Sequence, residues 1–178
     1  MTPVVAELLE RFDRHSDCVP LDELIAALSA LDITLKDVDE FVCFSDDTYQ
    51  RHLIHTGPAY QALILCWGSG QRSPIHDHRG SACGVRVLQG TLSETVFVRS
   101  EIGLIYANET RELLEGSVCG SFDSDIHQVS NLQPPSRDLV TLHIYSPPLL
   151  VMGTYSLIDG HVGEFVPKVH EFTHGAGI

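Results

Sequence analysis

One stretch decides the fold of this 178-residue chain: GQRSPIHDHRGSACGVRVLQG, which runs from Gly70 to Gly90. Within it, a single residue separates His76 from His78. Residues two apart on an extended strand point to the same face, so both imidazoles can reach one metal ion. A lone histidine in a β-protein is more often a surface or core residue. The pair inside this spacing favours a metal site on the wall of a β-structure.

Composition and charge narrow the function classes. Eleven Lys and Arg residues against 24 Asp and Glu residues give a formal net charge of -13. Such a surface repels phosphate backbones and anionic lipids, so we expect neither nucleic acid nor membrane as a partner. The sequence has no apolar run of about 18 residues and no signal-peptide pattern, which favours a cytoplasmic protein. Its length fits a single domain over residues 1–178.

The cysteines are odd in number, scattered and without a C-x-x-C pair, so we expect neither a disulfide framework nor a zinc knot. Most of them should be small buried apolar residues. They are Cys18, Cys43, Cys66, Cys83 and Cys119.

The first 45 residues predict a small helical lobe, because their apolar positions recur at helical spacing. Helix-start signals stand at Thr2-Pro3 and at Pro20-Leu21-Asp22. The segment Thr34-Leu35-Lys36-Asp37 predicts a third short helix. The apolar positions are Val5, Leu8, Leu9 and Phe12, then Leu21, Leu24, Ile25, Leu28 and Leu31.

From about Tyr49 onward, short β-rich runs alternate with turn residues, which predicts a sandwich or barrel of the jelly-roll type over residues 46–178. The fold class is therefore all-β with a small N-terminal helical lobe. The predicted strands cover residues 62–67, 84–88, 92–98, 103–106, 117–122, 139–145 and 153–157.

The spacing from Gly70 through His76 and His78 to Gly90 resembles the first motif of the cupin barrels. A glutamate normally stands in that motif where this chain has Cys83. With the glutamate absent, the protein ligands that remain are histidines.

A second cupin-like motif follows. Gly116, His127 and Asn131 match its outline, while Phe122 and Ser124 replace its usual proline and glycine. The resemblance implies that His127 joins the first two histidines inside the barrel. Three neutral imidazoles leave the charge of a divalent ion undiminished and part of its coordination shell open. Zinc also accepts three histidines, so ligand type alone does not select iron.

Three further sequence segments belong to the same resemblance: Tyr49-Gln50-Arg51, Leu65-Cys66-Trp67-Gly68 and Leu142-His143-Ile144-Tyr145-Ser146-Pro147-Pro148. Together with the histidine motif, they resemble the cysteine dioxygenases, the thiol dioxygenase branch of the cupins. The resemblance covers roughly residues 44–148.

The resemblance implies that His76, His78 and His127 bind Fe(II) and that Arg51 binds a substrate carboxylate beside Tyr49. A guanidinium suits that role because its planar fork can donate two hydrogen bonds to a carboxylate. The alternative for Arg51 is a solvated surface cation.

Tyr145 matches the family's active-site tyrosine, and Cys83 matches the cysteine that animal members link to it by a thioether. A shift of one residue would place Gly84 at that position, although the ungapped alignment favours Cys83. The alternative for Cys83 is an unreacted thiol lining the barrel.

Thr141, His143 and Tyr145 alternate with aliphatic residues, so a strand would place all three on one face. They resemble the family's Ser-His-Tyr relay, with threonine in place of serine. Without the resemblance, His143 could be a ligand or a core residue. The pattern also places Trp67 near the site, although an indole in an apolar strand usually packs in the core.

The implied activity is oxidation of free L-cysteine to cysteine sulfinic acid by O2 on Fe(II), in a monomer or weak oligomer. One alternative is a dioxygenase of 3-mercaptopropionate or another small thiol. Arg51 argues against it, because that branch tends to carry glutamine there. A second alternative is a cupin that binds metal without catalysis.

Overall fold

The computed structural model describes residues 1–122 and 125–171. Ser124 of the second motif lies outside the described residues, as do the last seven residues, 172–178, of the predicted barrel range. The division of the chain into a lobe over 1–45 and a barrel over 46–178, as parts of one domain, stays a prediction.

The helices lie where the apolar periodicity predicts them. Helix α1 spans Pro3–Phe12 and helix α2 spans Leu21–Ala30. The predicted third helix is a 3-10 turn, Leu35–Asp37, closed by a capping box in which the Thr34 N–H donates to Asp37 at 2.9 Å. A second 3-10 turn, Asp39–Phe41, follows it. In the part of the chain described, no helix has the length and apolar character needed to cross a bilayer.

Eleven strands follow in the described residues. They are β1 (Gln50–Thr56), β2 (Gln61–Trp67), β3 (Ala82–Gln89), β4 (Thr91–Arg99), β5 (Ile105–Leu114), β6 (Val118–Ser121), β7 (His127–Ser130), β8 (Leu139–Ser146), β9 (Met152–Tyr155), β10 (Val162–Phe165) and β11 (His170–Glu171).

The strands form three sheets that enclose a jelly-roll barrel, as predicted. One sheet has the order β11-β1-β2-β8-β3-β6, a second has β5-β4-β7, and β9 pairs with β10. Strand β5 is longer than predicted. Most of its residues are exposed, so the sequence shows no apolar alternation from which its length could be predicted. Strands β1, β7, β10 and β11 were not predicted. A bulge in β1 between Leu53 and His55 interrupts its pattern, and the other three are only two to four residues long.

Both faces of strand β8 are buried, each against a different neighbour. Its aliphatic residues Val140, Leu142 and Ile144 pack in one cluster with the helices of the lobe. Tyr145 belongs to the second cluster, inside the barrel. The helical lobe therefore covers the outer face of the large sheet, and the polar side chains of β8 are left to face the interior.

A pair of glycines lets α2 lie close to the sheet. Gly84 and Gly120 are directly opposed in the pairing of β3 with β6. A Cβ atom on Gly84 would come within 2.8 Å of Leu28, and one on Gly120 within 2.8 Å of Leu21. Because Gly84 faces the helix, its neighbour Cys83 faces the barrel interior. The one-residue shift considered from the sequence is thereby excluded.

Candidate metal centre

Three buried histidines converge inside the barrel. One ring nitrogen from each of His76, His78 and His127 lies within 4.8 Å of the other two. His76 and His78 belong to the connection between β2 and β3, and His127 begins β7. The three histidines predicted from the two motifs are thus brought together.

The segment carrying His76 and His78 is a loop and not the regular strand expected from the sequence. Its isolated β-bridges join His76 to His127 and to Thr154, and a further bridge joins Arg72 to Ser130. Pro74 has no N–H to donate to a ladder, which limits strand pairing here. The intervening Asp77 accepts a hydrogen bond from the Gly153 N–H at 3.0 Å, which ties the loop to β9.

Each of the three imidazoles has its Nδ1 atom engaged by a protein group. His76 donates to the Pro74 carbonyl at 2.9 Å. His127 Nδ1 lies 2.7 Å from a carboxylate oxygen of Glu94, and His78 Nδ1 lies 3.2 Å from the Ser121 hydroxyl. Partners of this kind fix the tautomer of metal-binding histidines and leave Nε2 free for the ion.

The separation of two Nε2 atoms fits a shared ion. His127 Nε2 and His78 Nε2 are 3.2 Å apart. Two ligands about 2.0–2.1 Å from one metal ion, at angles of about 90–109°, would be separated by about 2.8–3.4 Å. Because His127 directs its Nδ1–H to Glu94, its Nε2 presents a lone pair towards His78. With the His78 proton on Nδ1 as well, both Nε2 lone pairs would point to one position between the rings, so the residues present fit a divalent metal ion.

Burial keeps the imidazoles of His76 and His78 neutral. Removal from water, together with the nearby His127, lowers the pKa of His76 to about 3. The same two causes hold the pKa of His78 well below its ordinary value of 6.5. A neutral imidazole has a lone pair to offer, so these two ligands need no deprotonation step to bind a metal at neutral pH.

Sequence reasoning missed Glu94, the partner of His127. Glu94 lies on β4, is 4% exposed and also bonds Arg111 of β5. Burial alone would raise the pKa of Glu94, but the hydrogen bonds and charges of His127 and Arg111 outweigh it and lower that pKa. A signal was present: Glu94 stands two residues after Leu92, in the inward phase of its strand.

Arg51 of β1 is 3% exposed and lines a cavity that the three histidines also line. Within the described residues, neither its Nε nor its Nη2 has a hydrogen-bond partner. Its Cζ lies 5.2 Å from the centre of the Tyr145 ring. A buried cation with two unused donors is costly unless an anion completes it. The reading of Arg51 as a solvated surface residue is therefore wrong.

Tyr49 and Trp67 form a stacked wall beside Arg51. Their ring centroids are 4.1 Å apart, with an angle of 9° between the planes. Burial raises the pKa of Tyr49 although the Arg51 charge opposes the shift. From the sequence, Trp67 could pack in the core or lie near the site. In the structure it does both, because it is buried in the cluster inside the barrel and also lines the cavity.

A hydrogen-bonded chain runs along the inner face of the large sheet. The Trp67 indole N–H donates to the Thr141 hydroxyl at 3.1 Å. The Thr141 hydroxyl lies 2.9 Å from His143 Nε2, and His143 Nδ1 lies 3.1 Å from the Tyr145 hydroxyl. Burial lowers the pKa of His143 and raises that of Tyr145. The polar face predicted for β8 is present, and Trp67 is the first residue of the hydrogen-bonded chain along it.

Cys83 lies opposite Tyr145 in the pairing of β3 with β8. Its sulfur is 3.9 Å from His143 Nδ1. Burial raises the pKa of Cys83 well above its ordinary value, so this thiol is neutral in the metal-free protein.

One cavity joins these groups. Its lining includes the three histidines, Arg51, Cys83 and Tyr145, and its apolar walls are formed by Leu65, Val85, Val129 and Met152. Met152 of β9 therefore borders the site.

Asn131, part of the second motif, lies outside this cavity. It is fully buried and donates to the carbonyls of Trp67 and Arg137, each at 2.9 Å. Its part in the motif is to hold the turn after β7.

The chain matches the family model described as cysteine dioxygenase type I over residues 1–157. Among curated proteins, it is 31% identical to cysteine dioxygenase type 1 of Danio rerio over 152 residues, covering 83% of this chain and 75% of the relative. It is 32% identical to the Rattus norvegicus protein of the same name over 159 residues, covering 86% and 78%.

Solved structures support the fold alone. A Klebsiella pneumoniae protein with a double-stranded β-helix domain matches with a TM-score of 0.52 at 16% identity, covering 72% of this chain and 87% of that chain. A protein from Thermus thermophilus matches with a TM-score of 0.50 at 18% identity, covering 65% and 99%.

Proposed function

The chain belongs to the cysteine dioxygenase type I family, and we propose that it oxidises the thiol of free L-cysteine to the sulfinate with both atoms of O2. The reaction adds O2 to R–SH to give R–SO2H, so it balances without an external reductant. The enzyme class is thiol dioxygenase.

We assign Fe(II) to the three imidazoles of His76, His78 and His127, whose free lone pairs suit a divalent ion. When bound there, iron supplies a Lewis acid that favours the thiolate form of the substrate and a redox centre at which O2 can react. The protein contributes the shape and polarity of the cavity around it.

The observation that carries the choice of substrate is the buried guanidinium of Arg51 with its two unused donors. A carboxylate can accept both, which compensates the buried positive charge and fixes the orientation of the amino acid. The stacked Tyr49 and Trp67 rings form the neighbouring wall and exclude water from this ion pair.

Tyr145 is the proposed proton-holding group. Its raised pKa keeps the phenol protonated at neutral pH. If the Thr141 hydroxyl donates to His143 Nε2, then His143 Nδ1–H donates to the phenol oxygen of Tyr145. The phenol proton is then free to point at substrate in the cavity. The relay thus orients one O–H donor without carrying a charge.

We further propose that Cys83 becomes joined to Tyr145 by a thioether, as in animal members of the family. We place the enzyme in the cytoplasm, as a monomer or weak oligomer without a nucleic-acid or membrane partner. The net charge of -13 supports the expectation that the protein has no nucleic-acid or anionic-membrane partner.

Oxygen uptake by the Fe(II)-loaded protein tests the activity. L-cysteine should be consumed faster than 3-mercaptopropionate, with cysteine sulfinate as the product. Faster use of 3-mercaptopropionate would reassign the substrate. An iron-loaded protein that consumes no O2 with any small thiol would instead be a binding protein.

The role of Arg51 is tested with Arg51→Gln. Hydrogen bonds to charged groups are worth about 1.5–3 kcal/mol, so kcat/KM for L-cysteine should fall by about 10- to 150-fold. For cysteamine, which lacks the carboxylate, kcat/KM should change little in Arg51→Gln. Arg137→Gln, on an exposed arginine, is the control and should match the wild type. An equal loss with both substrates would contradict the assignment.

A further inference from the structure

Among the described residues, the candidate metal cluster holds three histidines and no carboxylate, yet a carboxylate lies directly behind one of the histidines. Cys83 stands where related barrels have a glutamate ligand. Glu94, on the neighbouring small sheet, places Oε1 at 2.7 Å from His127 Nδ1. Its other oxygen, Oε2, faces away from the metal site.

Glu94 is held in that orientation from two sides. Its backbone lies opposite Val129 in the pairing of β4 with β7, two residues from His127 on the same strand. Arg111, across the β4–β5 pair, approaches Oε2 with Nε at 2.7 Å and Nη2 at 2.6 Å. The Arg111 fork occupies one carboxylate oxygen and leaves the other to His127.

The three histidines therefore differ in their outer partners. His76 donates to a neutral backbone carbonyl, and His78 lies beside a neutral hydroxyl. Of the three, His127 alone has an anionic partner among the described residues. A carboxylate that accepts the Nδ1–H makes the imidazole more electron-rich and strengthens its bond to a metal ion.

We propose that Glu94 is a positioning residue for the metal centre: it fixes the His127 ring and returns, through His127, the negative charge that the exchange of glutamate for Cys83 removes. Arg111 locks Glu94 in place. The inference rests on the metal site assigned under the proposed function and extends it by two residues. Neither Glu94 nor Arg111 touches the substrate cavity.

Metal affinity measured with Co(II) tests the proposal. Glu94→Gln keeps the shape of the side chain but removes its charge, and loss of such partners typically weakens metal binding 10- to 100-fold. Glu112→Gln removes the same charge from an exposed position on β5 and should stay within twofold of the wild type. The visible absorption of bound Co(II) should shift in Glu94→Gln and not in Glu112→Gln.

The outcomes separate this inference from the proposed function. If the wild type binds no divalent ion, the metal site itself is wrong. If it binds Co(II) and Glu94→Gln binds equally with an unchanged spectrum, only the role of Glu94 is wrong. The double variant Glu94→Gln with Arg111→Gln removes both charges of the Glu94–Arg111 ion pair, and it should lose affinity as the single variant does.

A measurement on the wild type covers the case in which neither variant folds. In the Zn(II)-loaded protein, the Nδ1 proton of His127 should resonate further downfield in the NMR spectrum than that of His76. The reason is that a carboxylate is a stronger acceptor than a neutral carbonyl. Equal shifts, or an absent Nδ1 proton on His127, would overturn the proposal.

Discussion

Cys83 and Tyr145 face each other across neighbouring antiparallel strands, β3 and β8. Directly opposed residues have Cβ atoms about 4.5–5.5 Å apart, and both side chains here line one cavity. Because Gly84 faces α2, no shift of register is needed to bring the sulfur to the phenol ring. The backbone thus already has the arrangement that a thioether requires.

We predict that the protein becomes two hydrogen atoms lighter after turnover with Fe(II), cysteine and O2. The thiol S–H and one ring C–H are lost, an S–C bond forms, and O2 accepts the two hydrogens. Intact-mass measurement and peptide mapping should place the change on peptides containing Cys83 and Tyr145. The mass of the Cys83→Gly variant should not change during turnover. A wild-type protein that remains without the crosslink after many turnovers would contradict the prediction.

Thr141→Val should slow the reaction without weakening substrate binding. The variant removes the hydroxyl between Trp67 and His143 and preserves the side-chain shape. The net worth of a hydrogen bond is about 0.5–1.5 kcal/mol, so kcat should fall about 2- to 13-fold. KM for cysteine should stay unchanged because the variant does not alter Arg51, the proposed carboxylate-binding residue. Thr141→Ser should restore kcat, and a change confined to KM would contradict the relay.

Stability of the metal-free protein should fall as the pH drops below 6.5. The pKa of His76 is lowered from 6.5 to about 3, so between those values the unfolded chain binds a proton that the folded chain excludes. Stability is therefore full above pH 6.5 and is lost towards pH 3, by up to about 1.4 kcal/mol per pH unit for this group.

His78 and His143, whose pKa values are also lowered by burial, should add to this slope. Urea unfolding at pH 7.5 and pH 5.5 measures the effect. His76→Asn should reduce the difference between the two free energies of unfolding. Equal stability of the wild type at both pH values would refute the prediction.

Ser146→Ala should destabilise the contact between the helical lobe and the barrel. The buried Ser146 hydroxyl accepts the Val19 N–H and donates to the Ala59 carbonyl, each at 2.7 Å. Leaving buried backbone groups unpaired costs about 1–3 kcal/mol, which thermal or urea unfolding would detect. Ser16→Ala, at an exposed serine, should change stability by less than about 0.5 kcal/mol.

Much of the fold and of the site was predicted from sequence patterns that repeat every two to four residues. The alternation of Thr141, His143 and Tyr145 predicted a polar inner face for β8, because a strand repeats every two residues. The spacing of His76 and His78 predicted their convergence, although their segment is a loop held by bridges at His76. Helical spacing likewise predicted α1 and α2.

Features that depend on register across strands were missed. Nothing near His127 in the sequence points to Glu94, which lies 33 residues earlier and reaches it through the pairing of β4 with β7. The link from Trp67 to Thr141 spans 74 residues for the same reason. The short strand β7 has too few residues to show a pattern of its own.

The sequence by itself determined that His76 and His78 could share a metal ion and that Thr141, His143 and Tyr145 share one face of β8, because those properties depend on residues a few positions apart. Only the tertiary structure decided that Arg51 is buried with unused donors, that Cys83 and not Gly84 meets Tyr145, and that Glu94 supports His127. These relationships arise where distant strands pair, and pairing is set by the packing of the whole barrel.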